Sequence, residues 1–131
     1  MAKQIQAISK YCPKVKLGKT VQEKELIEYI ADRTGLNKGD VRMALGELSD
    51  AIVFFNKRGE GVKLEGIGIY HPSIDLNGRI SVSHTLDGDI SSALNASGAF
   101  TGEIENKENI GKSTSDLIAQ WNKDNPSDPI S

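Results

Sequence analysis

Cysteine is nearly missing from this chain: Cys12 stands alone among 131 residues. No internal disulfide framework can form, and the composition fits a reducing compartment. Aromatic residues make up 5% of the chain, so any core must be mostly aliphatic. No stretch approaches the ~20 consecutive apolar residues of a membrane helix. The opening MAKQIQAISKYCPKVK is basic but lacks the apolar segment of a secretory signal. A cytoplasmic protein with no membrane contact is expected. A strong excess of one charge is also missing. The net charge is -2, whereas dedicated nucleic-acid binders are usually basic overall.

What charge there is lies unevenly. Residues 1–63 hold 12 Lys and Arg against 8 Asp and Glu, and residues 64–131 hold 4 against 10. The first twenty residues carry five lysines (Lys3, Lys10, Lys14, Lys16, Lys19) and no acid. A local basic patch is available; a strongly cationic surface is not.

The pattern of elements is mixed α and β. QIQAISKY (residues 4–11) alternates like a short edge strand, and PKVKLGK after it reads as loop or tail. Thr20-Val-Gln-Glu23 has the form of a capping box. Leu26, Ile27, Ile30 and Ala31 follow at helical spacing, with Gly35 as the expected C-cap. Asn37 and Asp40 start a second helix bearing Val41, Ala44, Leu45, Leu48, Ala51, Ile52 and Phe55, which Gly59 ends. Val53 and Phe54 widen its apolar surface beyond one stripe, so the helix is expected to be covered by a partner as well as by its own domain. Val62–Glu65 and Ile67–Asp75 read as strands joined at Gly66-x-Gly68. Asn77-Gly78 predicts a two-residue hairpin turn, returning along Arg79–Leu86. Asp87-Gly88 opens a short helix with Ile90 and Leu94 inward, and NASGA (95–99) reads as a linker. Beyond it lie a candidate strand, FTGEI, and a capped helix near 114–123 carrying Leu117, Ile118 and Trp121. DNPSDPIS reads as a frayed tail.

Two helices, a strand, Gly-x-Gly, a strand, a turn, a strand and a short helix follow one another here. The chain is similar in this to the bacterial histone-like HU and integration host factor family. EKELIEYIADRTGLNKGDV resembles that family's first helix and turn. Gly59, Val62, Leu64, Gly66, Gly68 and Tyr70 resemble its G-x-x-V-x-L-x-G-x-G-x-F stretch, and LDGDISSALN occupies the place of its closing helix. The likeness covers roughly residues 20–95. It implies an α+β fold with two N-terminal helices, a three-stranded antiparallel sheet and a short closing helix, here preceded by a basic segment (1–19) and followed by an extension (96–131). It also implies an intertwined homodimer whose shared core takes Leu48, Ile52, Phe54, Phe55, Ile67 and Tyr70. Family members bind duplex DNA in the minor groove and bend it with a long β-arm tipped by proline.

The chain departs from the family at the grip. SIDLNGRIS stands where the arm belongs. Asp89 takes the place of a closing-helix lysine. Ser81, Ser83 and Thr85 replace the usual bases of the third strand. DNA contact, if weakened, is left to Lys57 and Arg58 at the helix end, Lys63, Arg79 at the turn, and Lys14, Lys16 and Lys19. The competing expectation is a dimeric assembly module that has lost DNA and meets a protein partner through its extension.

Other constellations carry less. Gly18-Lys19-Thr20 and Gly111-Lys112-Ser113 lack the glycine that a phosphate-binding loop needs five residues earlier; Pro13 and Asn106 stand there. A two-residue turn at Asn77-Gly78 would set His71 directly opposite His84, as an aromatic pair, a pH-sensitive pair, or half of a metal site completed by Cys12 or an acid. No second pair of ligands is spaced to join them, so neither a metal nor a cofactor is expected. No Ser/His/acid or Cys/His spacing points to an enzyme.

Overall fold

The described residues of this computed structural model, 3–131, run in the order α1 (Gln4–Tyr11), β1 (Lys14–Val15), α2 (Glu23–Thr34), α3 (Lys38–Lys57), β2 (Val62–Leu64), β3 (Gly68–Ile74), β4 (Ile80–Leu86), α4 (Gly88–Leu94), β5 (Ile104–Glu105), a 3₁₀ turn (Lys107–Asn109) and α5 (Thr114–Asp124). They form two compact units. A central unit spans residues 20–100, and a terminal unit joins residues 1–19 to residues 101–131.

In the central unit, α2 and α3 pack through Ile27, Ala31 and Val41, with Ile30 and Leu45 beside them. Gly35 ends α2 in the left-handed conformation, and the Asn37 side chain accepts the Gly39 N–H to start α3. The Thr20 capping box does not form. α2 begins at Glu23 behind Gln22, which caps without its side chain.

β2, β3 and β4 form one antiparallel sheet in that order. Gly66-x-Gly68 makes the first hairpin. The Ile67 N–H donates to Leu64 O, and Gly66 takes φ 76° at the turn's third position, a geometry that favours glycine. Gly68 is fixed for another reason. A Cβ there would stand 2.3 Å from Thr85 O and 2.5 Å from His84 Nε2.

The second hairpin differs from the sequence expectation. Asp75, not Asn77-Gly78 alone, decides the turn. Its Oδ1 accepts the N–H groups of Asn77 and Arg79, and its own N–H donates to Arg79 O. The loop therefore holds three residues, with Gly78 left-handed at its end, the known three-residue alternative to the two-residue turn. The register shifts by one: Tyr70 faces His84 and His71 faces Ser83. His71 and His84 thus lie on opposite sides of the sheet and form no pair. His84 instead stacks on Tyr70, centroids 4.5 Å apart.

This register sorts the sheet into two faces. Val62, Leu64, Tyr70, Pro72, Ile74, Ile80, Val82 and Leu86 share one face, and Lys63, His71, Ser73, Ser81, Ser83 and Thr85 the other. α3 lies against the apolar face but covers only part of it. Ile74 remains 66% exposed. Leu94 of α4, expected inward, is exposed too.

The terminal unit corrects three expectations. QIQAISKY is a helix. Ile5 and Ala7 alternate as in a strand, but Ala7 and Tyr11 also stand four apart, and burying both decides the conformation. Strand pairing falls instead on the following segment, where Lys14 and Val15 face Glu105 and Ile104. The tail DNPSDPIS is docked. Ile130 is buried beside Ala7, Tyr11 and Leu117, and its N–H and C=O both bond the Asn122 side chain. Asn106 and Asn109 donate side-chain amide hydrogens to the carbonyls of Lys10, Cys12 and Tyr11, capping the end of α1 from another part of the chain. Tyr11 donates its O–H to Asp124 at 2.6 Å. That bond, then burial, then the nearby carboxylate charge hold the phenol above its ordinary range, against a smaller opposing bond with Asn125. Ser113 and Asp116 form the capping box expected at the start of α5.

Candidate nucleic-acid interface

The seven cations singled out in the sequence divide between the units. Lys57, Arg58, Lys63 and Arg79 belong to the central unit, and Lys14, Lys16 and Lys19 to the terminal one. Three are engaged with acids of their own unit. Arg58 stands 3.1 Å from Glu60, Lys63 3.7 Å from Glu65, and Lys16 3.4 Å from Glu103. Lys14 donates to Ser9 O. The ion pairs are solvent-exposed and so worth about 0–1 kcal/mol each; an incoming phosphate can replace such a partner at little cost.

Lys57 has a defined setting. It lines an open cleft of about 560 Å³ with Asn56, Gly59, Pro72, Ser73, Ile74 and Ile80. The cleft runs between the end of α3 and the tip of the β3–β4 hairpin. Arg79 belongs to that tip, one residue before Ile80. Arg79 neighbours this lining in sequence only, and Lys63 stands on the polar face of the sheet.

Asn56 is the residue that sequence reasoning missed. Its side chain donates to the carbonyls of Glu60 and Tyr70 at 2.9 and 3.3 Å, tying α3 to the loop after it and to β3. It is 8% exposed. The signal was present: Val41, Leu45, Leu48 and Ile52 recur at helical spacing, and beside Phe55, which continues that stripe, Asn56 stands four residues after Ile52. A polar residue on a buried stripe has a backbone partner to satisfy.

The residues expected in a shared core are not enclosed within one chain. Leu48, Ile52 and Tyr70 are half-buried. Phe54 is 57% exposed, and Phe55 and Ile67 are exposed as well. Phe54 and Phe55 meet edge to face, with the Arg58 guanidinium over Phe54.

Charge separates the units further. The central unit has eight Lys and Arg against twelve Asp and Glu, and the terminal unit eight against six. Among the described residues no cluster of three or more His, Cys, Asp or Glu could hold a metal. No described helix is long and apolar enough to cross a membrane.

Residues 2–93 match the family described as "HU domain fused to wHTH, Ig, or Glycine-rich motif". The chain belongs to this HU family. No curated protein matches. Among solved structures, HU from Thermotoga maritima is 22% identical, with a TM-score of 0.45 over 55% of this chain and 96% of that one. A point mutant of the same protein gives 22% identity, a TM-score of 0.48 and the same coverages. The family match takes in residues 3–19, which fold with residues 101–131, although residues 94–131 lie outside it.

Proposed function

We propose that this HU-family chain is a non-enzymatic architectural protein of the nucleoid that binds duplex DNA as a homodimer, without base readout and with little bending. Membership of the HU family is the observation that carries this reading. The dimer is supported by how little one chain encloses. The buried apolar residues of the whole 81-residue central unit are Ile27, Ala31 and Val41, few for a unit of that size. Phe54, Phe55, Ile67 and the open sheet face supply the surface that a second copy would cover.

The shortened hairpin supports reduced bending. β3 and β4 are seven residues each and close at Asp75–Arg79, so no arm reaches around the duplex and no apolar wedge enters a base step. Contact falls to Lys57, Arg58, Lys63 and Arg79, with Lys14, Lys16 and Lys19 as a second group, all directed at phosphates. Neutralising Z phosphates gives a log–log salt slope of about -0.9Z. Fluorescence anisotropy with a ~30-base-pair duplex should show binding at low salt and a slope of only a few contacts. The double variant Lys57→Ala/Arg79→Ala should make the slope shallower.

The acidic central unit favours a second reading, an HU-fold assembly module that no longer holds DNA and uses its terminal unit to meet a protein. Absence of binding at low salt would select it.

A further inference from the structure

The outer edge of β4 is unguarded. All seven of its residues, ISVSHTL, are exposed, and none is charged or a proline. Proteins ordinarily protect a free edge with charge, proline, a bulge or brevity. The other edge of the same sheet obeys that rule, since β2 has three residues with Lys63 at its centre.

The register says which backbone groups are free. The Asp75 N–H bonds Arg79 O, and the Asp87 N–H bonds Ile67 O. In an antiparallel pair the bonded positions alternate, so odd-numbered residues of β4 face β3. The N–H and C=O groups of Ile80, Val82, His84 and Leu86 point away from it, and no hydrogen bond to them occurs among the described residues. The strand is also self-complementary. Laid antiparallel against a second copy, it sets Ile80 against Leu86, Val82 against His84, Ser81 against Thr85, and Ser83 against its own counterpart. Outward groups then meet outward groups, apolar side chains continue the apolar face, and hydroxyls meet hydroxyls. No like charges come together at any position.

We propose that β4 pairs edge to edge with β4 of a second copy of this chain, making a continuous six-stranded sheet with Ser83 on the two-fold axis. About eight backbone hydrogen bonds would close the contact. The contact uses the edge of the sheet, not its apolar face, so it adds to a face-to-face dimer. Two different two-fold contacts on one protomer link dimers into tetramers or chains. The proposal needs no DNA and stands apart from the DNA reading.

The test uses the full-length chain without DNA, in a Cys12→Ser background. Ser83→Cys should cross-link into a covalent dimer under mild oxidation. Ser81→Cys, which would meet Thr85, should not. Ser83→Lys would place two like charges on the axis and should lower the mass to half or less in sedimentation equilibrium, more strongly at low salt than at high salt, with an unchanged circular dichroism spectrum. Equal cross-linking at positions 81 and 83 overturns the proposal. So does an unchanged mass for Ser83→Lys, as expected if the edge receives a segment of some other protein instead.

Discussion

The two units solve the same problem in opposite ways. The terminal unit draws Ala7, Tyr11, Leu117 and Ile130 from segments more than a hundred residues apart and closes them with side-chain amides from Asn106, Asn109 and Asn122. The central unit is continuous in sequence, yet its sheet and long helix leave aliphatic and aromatic side chains in water. The terminal unit exposes Ile5, Val15, Leu17 and Ile110 as well, but it also encloses a core closed by polar side chains, whereas the central unit leaves Phe54, Phe55, Ile67 and much of its sheet face open. Mean surface composition would hide this, because a folded surface is largely apolar by area in any case.

The sharpest way to break the contrast is at Gly68. Gly68→Ala puts a methyl into Thr85 O and the His84 ring at a φ of 150°. We expect a loss of roughly 3 kcal/mol or more, seen as a collapsed melting transition with the α5 region intact by hydrogen exchange. Leu117→Ala should do the reverse, costing the terminal unit about 2–4 kcal/mol and exposing amides of α1 and α5. Phe54→Ser sharpens the comparison. Removing about 1.5–3 kcal/mol of burial should weaken self-association at least tenfold and leave a melting midpoint no longer raised by protein concentration. A midpoint that never depended on concentration would remove the dimer from the account.

Smaller effects follow. Tyr11 has its pKa raised in the fold, so the protonated phenol is the favoured form. Its contribution is complete below the ordinary tyrosine pKa near 10 and is lost as pH rises through the higher folded value. Stability of the terminal unit should fall in alkaline solution more steeply than in Tyr11→Phe, as monitored by Trp121 fluorescence. Ser113→Ala removes one cap of α5, and about 1 kcal/mol is expected in chemical denaturation.

What the sequence revealed was mostly local. Gly35, Asn37 and Ser113 act within a few residues of where they stand, and their roles in ending or starting helices could be seen directly. The Gly66-x-Gly68 spacing likewise encodes its own turn. What stayed hidden depended on distant partners or on competing local choices. QIQAISKY satisfies both a two-residue and a helical period, and only Leu117 and Ile130 choose between them. The β1–β5 pairing joins residues some ninety apart. In the second hairpin, Asn77-Gly78 pointed to one turn while the Asp75 carboxylate selected another, and that single residue moved His71 away from His84. Of the candidate interface, the cations were visible; their ion pairs, and the tie made by Asn56, were not.

The division of the terminal unit between both ends of the chain has a consequence for the order of assembly. On a ribosome, residues 1–19 emerge long before residues 101–131 can join them. Closing so long a loop of loose chain costs several kcal/mol in entropy, by about 1.5RT times the logarithm of its length. If the central unit folds first, that loop becomes a compact body and the cost falls. The basic N-terminal segment should therefore wait, unfolded and able to meet anionic partners, until residues 101–131 have been made. The terminal unit then acts as a clock: its closure reports that the HU-like unit encoded between its two segments is already made.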